Sequence, residues 1–499
     1  MDIPLRFHPA EAFATLRAFL KDAAYSEAAV CRRMGVSSLA QLLTRKPRAS
    51  PPAAGDALDL LISVFLLGEF GTRASAENLL PGEVRRAMQE LGLLAQDGDS
   101  YFATVALYPL RNIYVVSDRW NAPHAKPFTP PPDIVYPAIT PNTLRLLRYL
   151  PADPAPSLFE ACSGAAAAAL LAATRYAGRV WAADITARST AFARFNCLLN
   201  QIDNVEVLQG DLYAPVRGMQ FHRIIAHPPY LPAATPKFIF QDATEGGEAI
   251  TRRLIEGLPD HLAPGGHFYC LTLGSDRPDE TYEARIRRWL GARQSEFDLL
   301  LAVVERKSPS ELAADFLLKG MIGHHEFVER QKAYEEAAAE FLYSFIVIQR
   351  ASRPRSAFTV RRMMSPKTAA AQIGWLRRVF TAVAEQDPAV DPARMRPRAA
   401  DPIEIDGCYR LSGGKLEVAS FTIEVDYPLF GMLGVEPWVA NLLASCDGRR
   451  TGRELYEHCR QENWISPEVQ PQDFYPLLTA LLTGGFVEVE GFSLPAAEE

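Results

Sequence analysis

No two cysteines stand in a CxxC pair, and the seven present, at 31, 162, 197, 270, 408, 446 and 459, are odd in number. A disulfide framework and a cysteine-based zinc site are therefore not expected, no metal is assigned, and a reducing cytoplasm fits. Long apolar runs are also missing. The longest, around 60–67 and 165–173, fall short of the roughly 20 residues that span a bilayer, so no membrane partner is expected. The opening MDIPLRFHPAEAF has no basic stretch leading into an apolar one, which argues against a secretory signal. There is no GxGxxG, no internal repeat and no extended low-complexity tract. Charge of one sign is scarce too: 52 Lys plus Arg against 59 Asp plus Glu give −7. That argues against an indiscriminate nucleic-acid coat while leaving room for a local basic face. What is present is ordinary globular composition, 48% hydrophobic and 22% charged over 499 residues, with a length prior of about three domains.

Proline-rich seams at 47–52, 127–132 and about 387–402 suggest boundaries. They divide the chain into an N-terminal part (1–126), a central part (133–352), a basic linker or helix (353–402) and a C-terminal part (403–499). In the first part, 57–67 and 81–91 read as helices, and Val84, Met88 and Leu91 share one face of the second. A strand after Gly92, a turn at Asp97-Gly98-Asp99 and a second strand at 101–107 complete a winged-helix-like pattern. Arg85 and Arg86 sit beside Glu83 and Glu90. The helix therefore reads either as a nucleic-acid recognition helix or as the solvated face of a protein-contact module.

The central part alternates short β-rich runs, at 157–161, 179–183, 205–208, 223–226, 267–273, 299–304 and 342–348, with helical patterns among the early ones. That alternation implies an α/β doubly wound parallel sheet. Ligands bind such sheets outside the carboxyl ends of the strands. Four signals fall there in order. Phe159-Glu160-Ala161-Cys162-Ser163-Gly164 precedes an alanine-rich helix, a turn through which backbone N–H groups can face a ligand. Asp184 follows an apolar strand about one βα unit later, placed either to accept from a ribose diol or to cap a helix. Gly210-Asp211-Leu212 follows the third strand. His227-Pro228-Pro229-Tyr230 follows the fourth, where two prolines hold a histidine and an aromatic rigidly at a strand end.

In their order and spacing these residues resemble the class I S-adenosylmethionine-dependent methyltransferases. The likeness is greatest to the small-domain branch with release-factor glutamine methyltransferases, which carries Asn/Asp-Pro-Pro-Tyr/Phe. The stretches 242–249 and 262–267 follow the same layout, and the likeness covers about 220 residues. It implies a Rossmann-like core, S-adenosyl-L-methionine as cofactor, and methyl transfer to a nitrogen of a protein or peptide amide or of an RNA or DNA base amine. Carried over residue by residue, Glu160, Cys162, Ser163, Gly164 and Ala166 line the methionine part of the cofactor. Asp184, with Ile185 beside it, takes the ribose, and Asp211 and Leu212 take the adenine. His227, Pro228, Pro229 and Tyr230 hold the acceptor, His227 also bordering the cofactor. Catalysis in such a site is chiefly positioning.

Two departures stand out. Ala166 replaces a glycine usual in the family's turn, and His227 replaces Asn or Asp. A neutral imidazole accepts one hydrogen bond and can take a proton, so a general-base role is open to it. Two other readings stand beside this one: a small-molecule methyltransferase closed by a lid, and a non-catalytic binding relative. The lid would be the helical insertion 305–340, with Phe316-Leu317-Leu318 and His324-His325. The stretch 350–398 has eleven Lys or Arg against three Asp or Glu. It reads either as a phosphate-contacting arm or as a solvated linker. After 403, short strands at 409–411 and 421–425 precede helices at 437–444, 452–461 and 471–483. That is again a winged-helix-like α+β pattern, and 442–451 is similar to peptide-binding domains of PqqD type. The flanking parts would select the acceptor or join copies into a homo-oligomer.

Overall fold

The computed structural model of the chain describes residues 3–45, 54–119, 129–232, 239, 247–318 and 322–496. The seam at 47–52, the start of the seam at 127–132, and residues 242–246 of the acceptor-side stretch lie outside the described residues. Two compact units are formed: Met1–Leu147 with Ala152–Leu273, and Arg148–Pro151 with Gly274–Glu499.

The first unit opens with helices α1 (Ala10–Asp22), α2 (Glu27–Met34) and α3 (Ala57–Leu61), the last running into a π-helical turn at Ile62–Leu66. Strand β1 (Phe70–Thr72), helices α4 (Arg73–Leu79) and α5 (Gly82–Glu90), and strands β2 (Leu94–Asp97) and β3 (Ser100–Ala103) follow. The three strands form an antiparallel sheet in the order β1-β3-β2. The single strand expected at 101–107 is two. The chain leaves β3 at Thr104 and starts β4 (Ala106–Leu110), which pairs with β5 (Ile113–Ser117) in a separate hairpin.

Next come α6 (Pro141–Tyr149), β6 (Ala155–Ala161), α7 (Ala167–Arg175), β7 (Ala177–Asp184), α8 (Ala187–Asn200), β8 (Val205–Gln209), β9 (Phe221–Ala226), α9 (Ala249–Glu256), α10 (Leu258–His261) and β10 (Leu262–Asp276). Pairing is parallel throughout, β7 with β8, β6 with β7, β6 with β9, and β9 with β10. The strand order is therefore β8-β7-β6-β9-β10, and it reverses between β6 and β9. A crevice opens at such a reversal, outside the carboxyl ends of the strands. Ala161 and Ala226 end β6 and β9, Ala183 is the next-to-last residue of β7, and all three are buried small residues that keep that end free of bulk.

The N-terminal residues are not a free-standing domain; they fold into this unit. The edge of β5 is satisfied by side chains of α8. Asn196 Oδ1 accepts from Val116 N at 2.8 Å and Asn200 Oδ1 from Tyr114 N at 2.7 Å. Arg188 and Asp118 form a buried ion pair at 2.6 Å, whose rupture from one side costs roughly 3–5 kcal/mol. Apolar periodicity carries no sign of these polar clamps.

The second unit holds α11 (Tyr282–Trp289), β11 (Phe297–Lys307), α12 (Pro309–Leu318), α13 (His324–Ala337), β12 (Glu340–Arg350), β13 (Thr359–Met363) and α14 (Ala370–Glu385). β11 pairs antiparallel with β12 and parallel with β13. The insertion 305–340 is helical as expected, with the Arg330 guanidinium of α13 over the Phe316 ring of α12 at 5.1 Å. The stretch read as a basic linker is folded. Arg355 pairs with buried Asp298, Arg361 with Asp276 and Glu283, and Arg353 with Glu385 at 2.9 Å. Three of its arginines thus serve internal carboxylates, which removes the basis for a free phosphate-binding arm.

The chain ends with β14 (Arg398–Ala399), β15 (Glu404–Ser412), β16 (Lys415–Val425), β17 (Gly431–Val435), α15 (Pro437–Ser445), α16 (Gly452–Gln461), α17 (Pro471–Gly484) and β18 (Val487–Glu488). β14 pairs with β18, and β15-β16-β17 form an antiparallel sheet. The strands expected at 409–411 and 421–425 are the ends of a long hairpin. α14 belongs with this part: buried Trp375 donates its indole N–H to the Phe492 carbonyl at 2.9 Å. No helix among the described residues is long and apolar enough to cross a membrane.

Candidate functional site

The first turn leaves β6 at Ala161. Cys162 (φ +54°), Gly164 (φ +52°) and Ala166 (φ +60°) are all left-handed. Such a conformation costs an L residue roughly 1–2 kcal/mol, so the turn needs external support. Ser163 N donates to Ala183 O at 3.0 Å, and Ala166 N to Ser163 O at 2.7 Å. Gly164 N donates to Asp184 Oδ2 at 2.9 Å. At Gly164 a Cβ would point into open space, and this glycine borders the crevice directly. Ala166 stands where the family's turn usually has glycine. The alanine takes up the left-handed conformation, fully buried, at the N-cap of α7.

Glu160 is buried under α7, where Oε2 accepts from Ala169 N at 2.7 Å. It occupies one of the unpaired N–H groups of the first helical turn. Burial pushes its carboxyl up to about 8, so it is largely protonated at neutral pH and can also donate. Ser163 is buried too, and its Oγ has no hydrogen-bond partner among the described residues. The Cys162 thiol is pushed well above its ordinary value by burial and is not a nucleophile at neutral pH.

Asp184 closes β7. Besides Gly164, it accepts from Thr186 N at 3.0 Å and Thr186 Oγ1 at 3.2 Å, both on Oδ1. The cap of α8 is Thr186, whose hydroxyl accepts from Ser189 N at 3.0 Å. The capping alternative raised for Asp184 thus falls to its neighbour, and Asp184 binds two loops together with lone-pair capacity to spare. Ile185 is 55% exposed beside it. Gly210 N donates to the Asp184 carbonyl at 2.9 Å, which brings the third turn against the second. There Leu212 is left-handed (φ +49°) and buried. Asp211 is ion-paired with Arg253 of α9 at 2.6 Å, both side chains nearly half exposed. Arg253 is a partner the sequence pattern did not single out.

The fourth signal follows β9, beside β6: Ala226 is in register with Ala161. His227 is half-buried, with Nε2 sealed from solvent and unpartnered among the described residues. Burial lowers its imidazole to about 4, so the ring is neutral at physiological pH. It stacks near Tyr230, ring centroids 5.8 Å apart and planes 26° apart; of the two prolines between them, Pro228 is buried and Pro229 half-buried. The Tyr230 hydroxyl accepts from the side-chain amide of Asn142, a residue the motif reading missed. Its signal is the string Thr140-Pro141-Asn142-Thr143. Thr140 Oγ1 accepts from Thr143 N at 3.2 Å, and Pro141 opens α6. This is an ordinary helix start that puts Asn142 in the first turn.

The strand ends therefore bring together a strained glycine turn, a carboxylate supporting it, and a rigid histidine–tyrosine pair. Two buried polar atoms, Ser163 Oγ and His227 Nε2, have no partner among the described residues and lie in the turns that follow the neighbouring strands β6 and β9. No cluster of three or more His, Cys, Asp or Glu able to hold a metal occurs among the described residues.

Residues 140–276, from α6 through β10, match the family model described as the methyltransferase small domain. The chain is similar to a ribosomal protein uL3 glutamine methyltransferase of Bradyrhizobium diazoefficiens, 29% identical over 153 residues, which are 28% of this chain and 48% of that one. It is also similar to a release factor glutamine methyltransferase of Moorella thermoacetica, 32% identical over 130 residues, 24% of this chain and 44% of the relative. The chain spans about half the length of these relatives. The parallel strand order of the first unit, β8-β7-β6-β9-β10, is Rossmann-like, as expected from the sequence.

Proposed function

We propose that this chain is an S-adenosylmethionine-dependent methyltransferase acting on a nitrogen of a protein or peptide, with a side-chain amide such as glutamine as the leading acceptor. The observation that carries the reading is the pair of unpartnered polar atoms, Ser163 Oγ and His227 Nε2, at the carboxyl ends of adjacent strands where the strand order reverses. The match over 140–276 and the glutamine-methylating relatives support the same class.

The residues fit the cofactor. The turn 162–166, open at Gly164, would cradle its methionine part, with Ser163 Oγ free to donate. Asp184 retains acceptor capacity for ribose hydroxyls. Leu212 offers an apolar wall for the adenine, and Asp211 an acceptor already shared with Arg253. Glu160 would act from beneath, through the α7 N-terminus. When bound, the cofactor supplies an electrophilic methyl group on sulfonium. The chain's task is then to orient the acceptor. Tyr230, its hydroxyl fixed by Asn142, presents a face for a planar amide. Neutral His227 accepts one hydrogen bond from it and takes the released proton at Nε2. A protonated, methylated amide is a very strong acid, so a weak base suffices there.

The flanking parts are read as acceptor-selecting modules of a cytoplasmic enzyme. The order α3, β1, α4, α5, β2, β3 with sheet order β1-β3-β2 supports a winged-helix reading at the N-terminus, and α15 to α17 with β18 support a related one at the C-terminus. An RNA or DNA amine as acceptor is disfavoured by the internal pairing of the basic stretch.

Calorimetric titration with S-adenosylhomocysteine, run beside Asp184→Ala, tests the cofactor. Transfer of labelled methyl groups to release factor and to ribosomal protein uL3 tests the acceptor. Cofactor binding lost in the variant, with label on glutamine, is the expected result. Absence of binding to the wild-type protein would overturn the proposal.

A further inference from the structure

The hairpin of β15 and β16 is exposed to an unusual extent. All nine residues of β15 and the first six of β16 are exposed. One face of it is apolar: Ile405 (46% exposed), Tyr409 (56%), Leu411 (73%), Leu416 (68%) and Val418 (41%). The register confirms the shared face, with Tyr409 opposite Val418 and Leu411 opposite Leu416. The turn, Gly413-Gly414, has both glycines left-handed, the geometry that closes a tight two-residue hairpin.

β15 is also an edge strand. Native edges are usually blunted by proline, charged side chains, a bulge or short length. β15 is nine residues long without Pro or Lys, and its charged residues, Glu404, Asp406 and Arg410, are of both signs. The register shift between Cys408 and Tyr409 places the extra residue, Ala419, on β16, so the outer row of N–H and C=O groups on β15 stays regular. The opposite edge, β17, has only five residues, two of them glycine.

The sequence of β15 complements itself. Laid antiparallel against a second copy about a two-fold axis at Cys408, it sets Asp406 opposite Arg410 and Ile405 opposite Leu411. Gly407 comes opposite Tyr409, and Glu404 opposite Ser412. Both charged pairs fall on one face and the apolar pairs on the other, because alternate residues share a face. This register pairs all nine residues. The two-fold axis about Gly407 instead leaves Leu411 and Ser412 unpaired.

We infer that two copies of this chain associate through antiparallel pairing of β15 with β15, centred on Cys408. The contact is isologous, so it closes at a dimer. Charge complementarity selects a second copy over an unrelated extended peptide, and the exposed ladder provides the hydrogen bonds.

Sedimentation velocity and light scattering of the full chain test it. The wild-type protein is expected at twice the chain mass. Asp406→Arg, which sets like charges against each other across the axis at both ends of the pairing, is expected to give monomer. Asp406→Arg combined with Arg410→Asp is expected to restore the dimer. Unchanged far-ultraviolet circular dichroism spectra show that the exposed substitutions leave the fold intact. Mild oxidation should trap the dimer through Cys408, the exposed one of the seven cysteines. Cys408→Ser should abolish the cross-link and keep the mass. A wild-type monomer at all concentrations, a monomer that captures extended peptides instead, or a dimer indifferent to the charge reversal would each overturn the inference.

Discussion

The backbone N–H of Gly164 donates to Oδ2 of Asp184 at 2.9 Å. A carboxylate at the end of one strand thereby holds in place the strained turn that follows its neighbour. Removing it takes away three hydrogen bonds, two of them to backbone N–H groups. Asp184→Ala is expected to lower stability by about 1–3 kcal/mol and to abolish S-adenosylhomocysteine binding. Asp184→Asn keeps an acceptor for one loop only and should fall between. Denaturant melts and calorimetry on the same preparations decide.

Ala166 carries left-handed strain in a fully buried position. Relief of roughly 1–2 kcal/mol is opposed by the greater freedom that glycine gives the unfolded chain, about 0.4–1 kcal/mol. Ala166→Gly is therefore expected to be neutral to mildly stabilising without loss of cofactor affinity. A clear destabilisation in urea melts would show that the alanine methyl packs more favourably than the strain costs.

His227 takes up a proton near 6.5 in the unfolded chain but only near 4 in the folded one. The unfolded state binds more protons in between. The stability this group contributes is complete above pH 6.5 and is lost as pH falls toward 4. His227→Asn should flatten the stability profile in that window and leave stability at pH 8 unchanged. In methyl transfer, no inflection near pH 6.5 is expected for the wild type, because the ring stays neutral.

Glu160 shifts the other way, from 4.5 up to about 8. Here the folded state holds the extra proton. The contribution is complete below pH 4.5 and is lost as pH rises through about 8, with a slope of up to ~1.4 kcal/mol per pH unit. Glu160→Gln preserves an acceptor for Ala169 N and removes the titration. It should make the protein more stable than the wild type at pH 8–9, measured by thermal melts across pH.

In the second unit, Arg355 and Asp298 are 8% and 2% exposed, whereas Arg353 is 67% exposed beside Glu385. Asp298→Ala leaves a buried guanidinium without its main partner and should cost roughly 3–5 kcal/mol. Arg353→Ala should cost under about 1 kcal/mol. Equal effects in guanidinium melts would contradict the assignment of these arginines to the fold.

The strands of the core were legible in the chain, as were the four turns at their ends, whereas their order in the sheet was not. Apolar strands, alanine-rich helices and the residues that must break them are local properties. Periodicities of two and 3.6, glycine at a turn and two prolines in a row act within a few residues, so sequence alone determined an α/β core and where the carboxyl ends of its strands lie. Pairing across distance was not legible there. Asn142 reaches Tyr230 over 88 residues, and Asn196 reaches the edge of β5 over 80. Arg355 finds Asp298 over 57. Those partners are chosen by where the folded chain brings a desolvated donor against an acceptor. Burial makes each such match obligatory, but no local pattern encodes which match is made. For the same reason, the apparent basic arm became structural and Asp184 passed its capping role to Thr186. The acid–base character of Glu160 and His227 was likewise decided only by the tertiary structure, through the water it excludes.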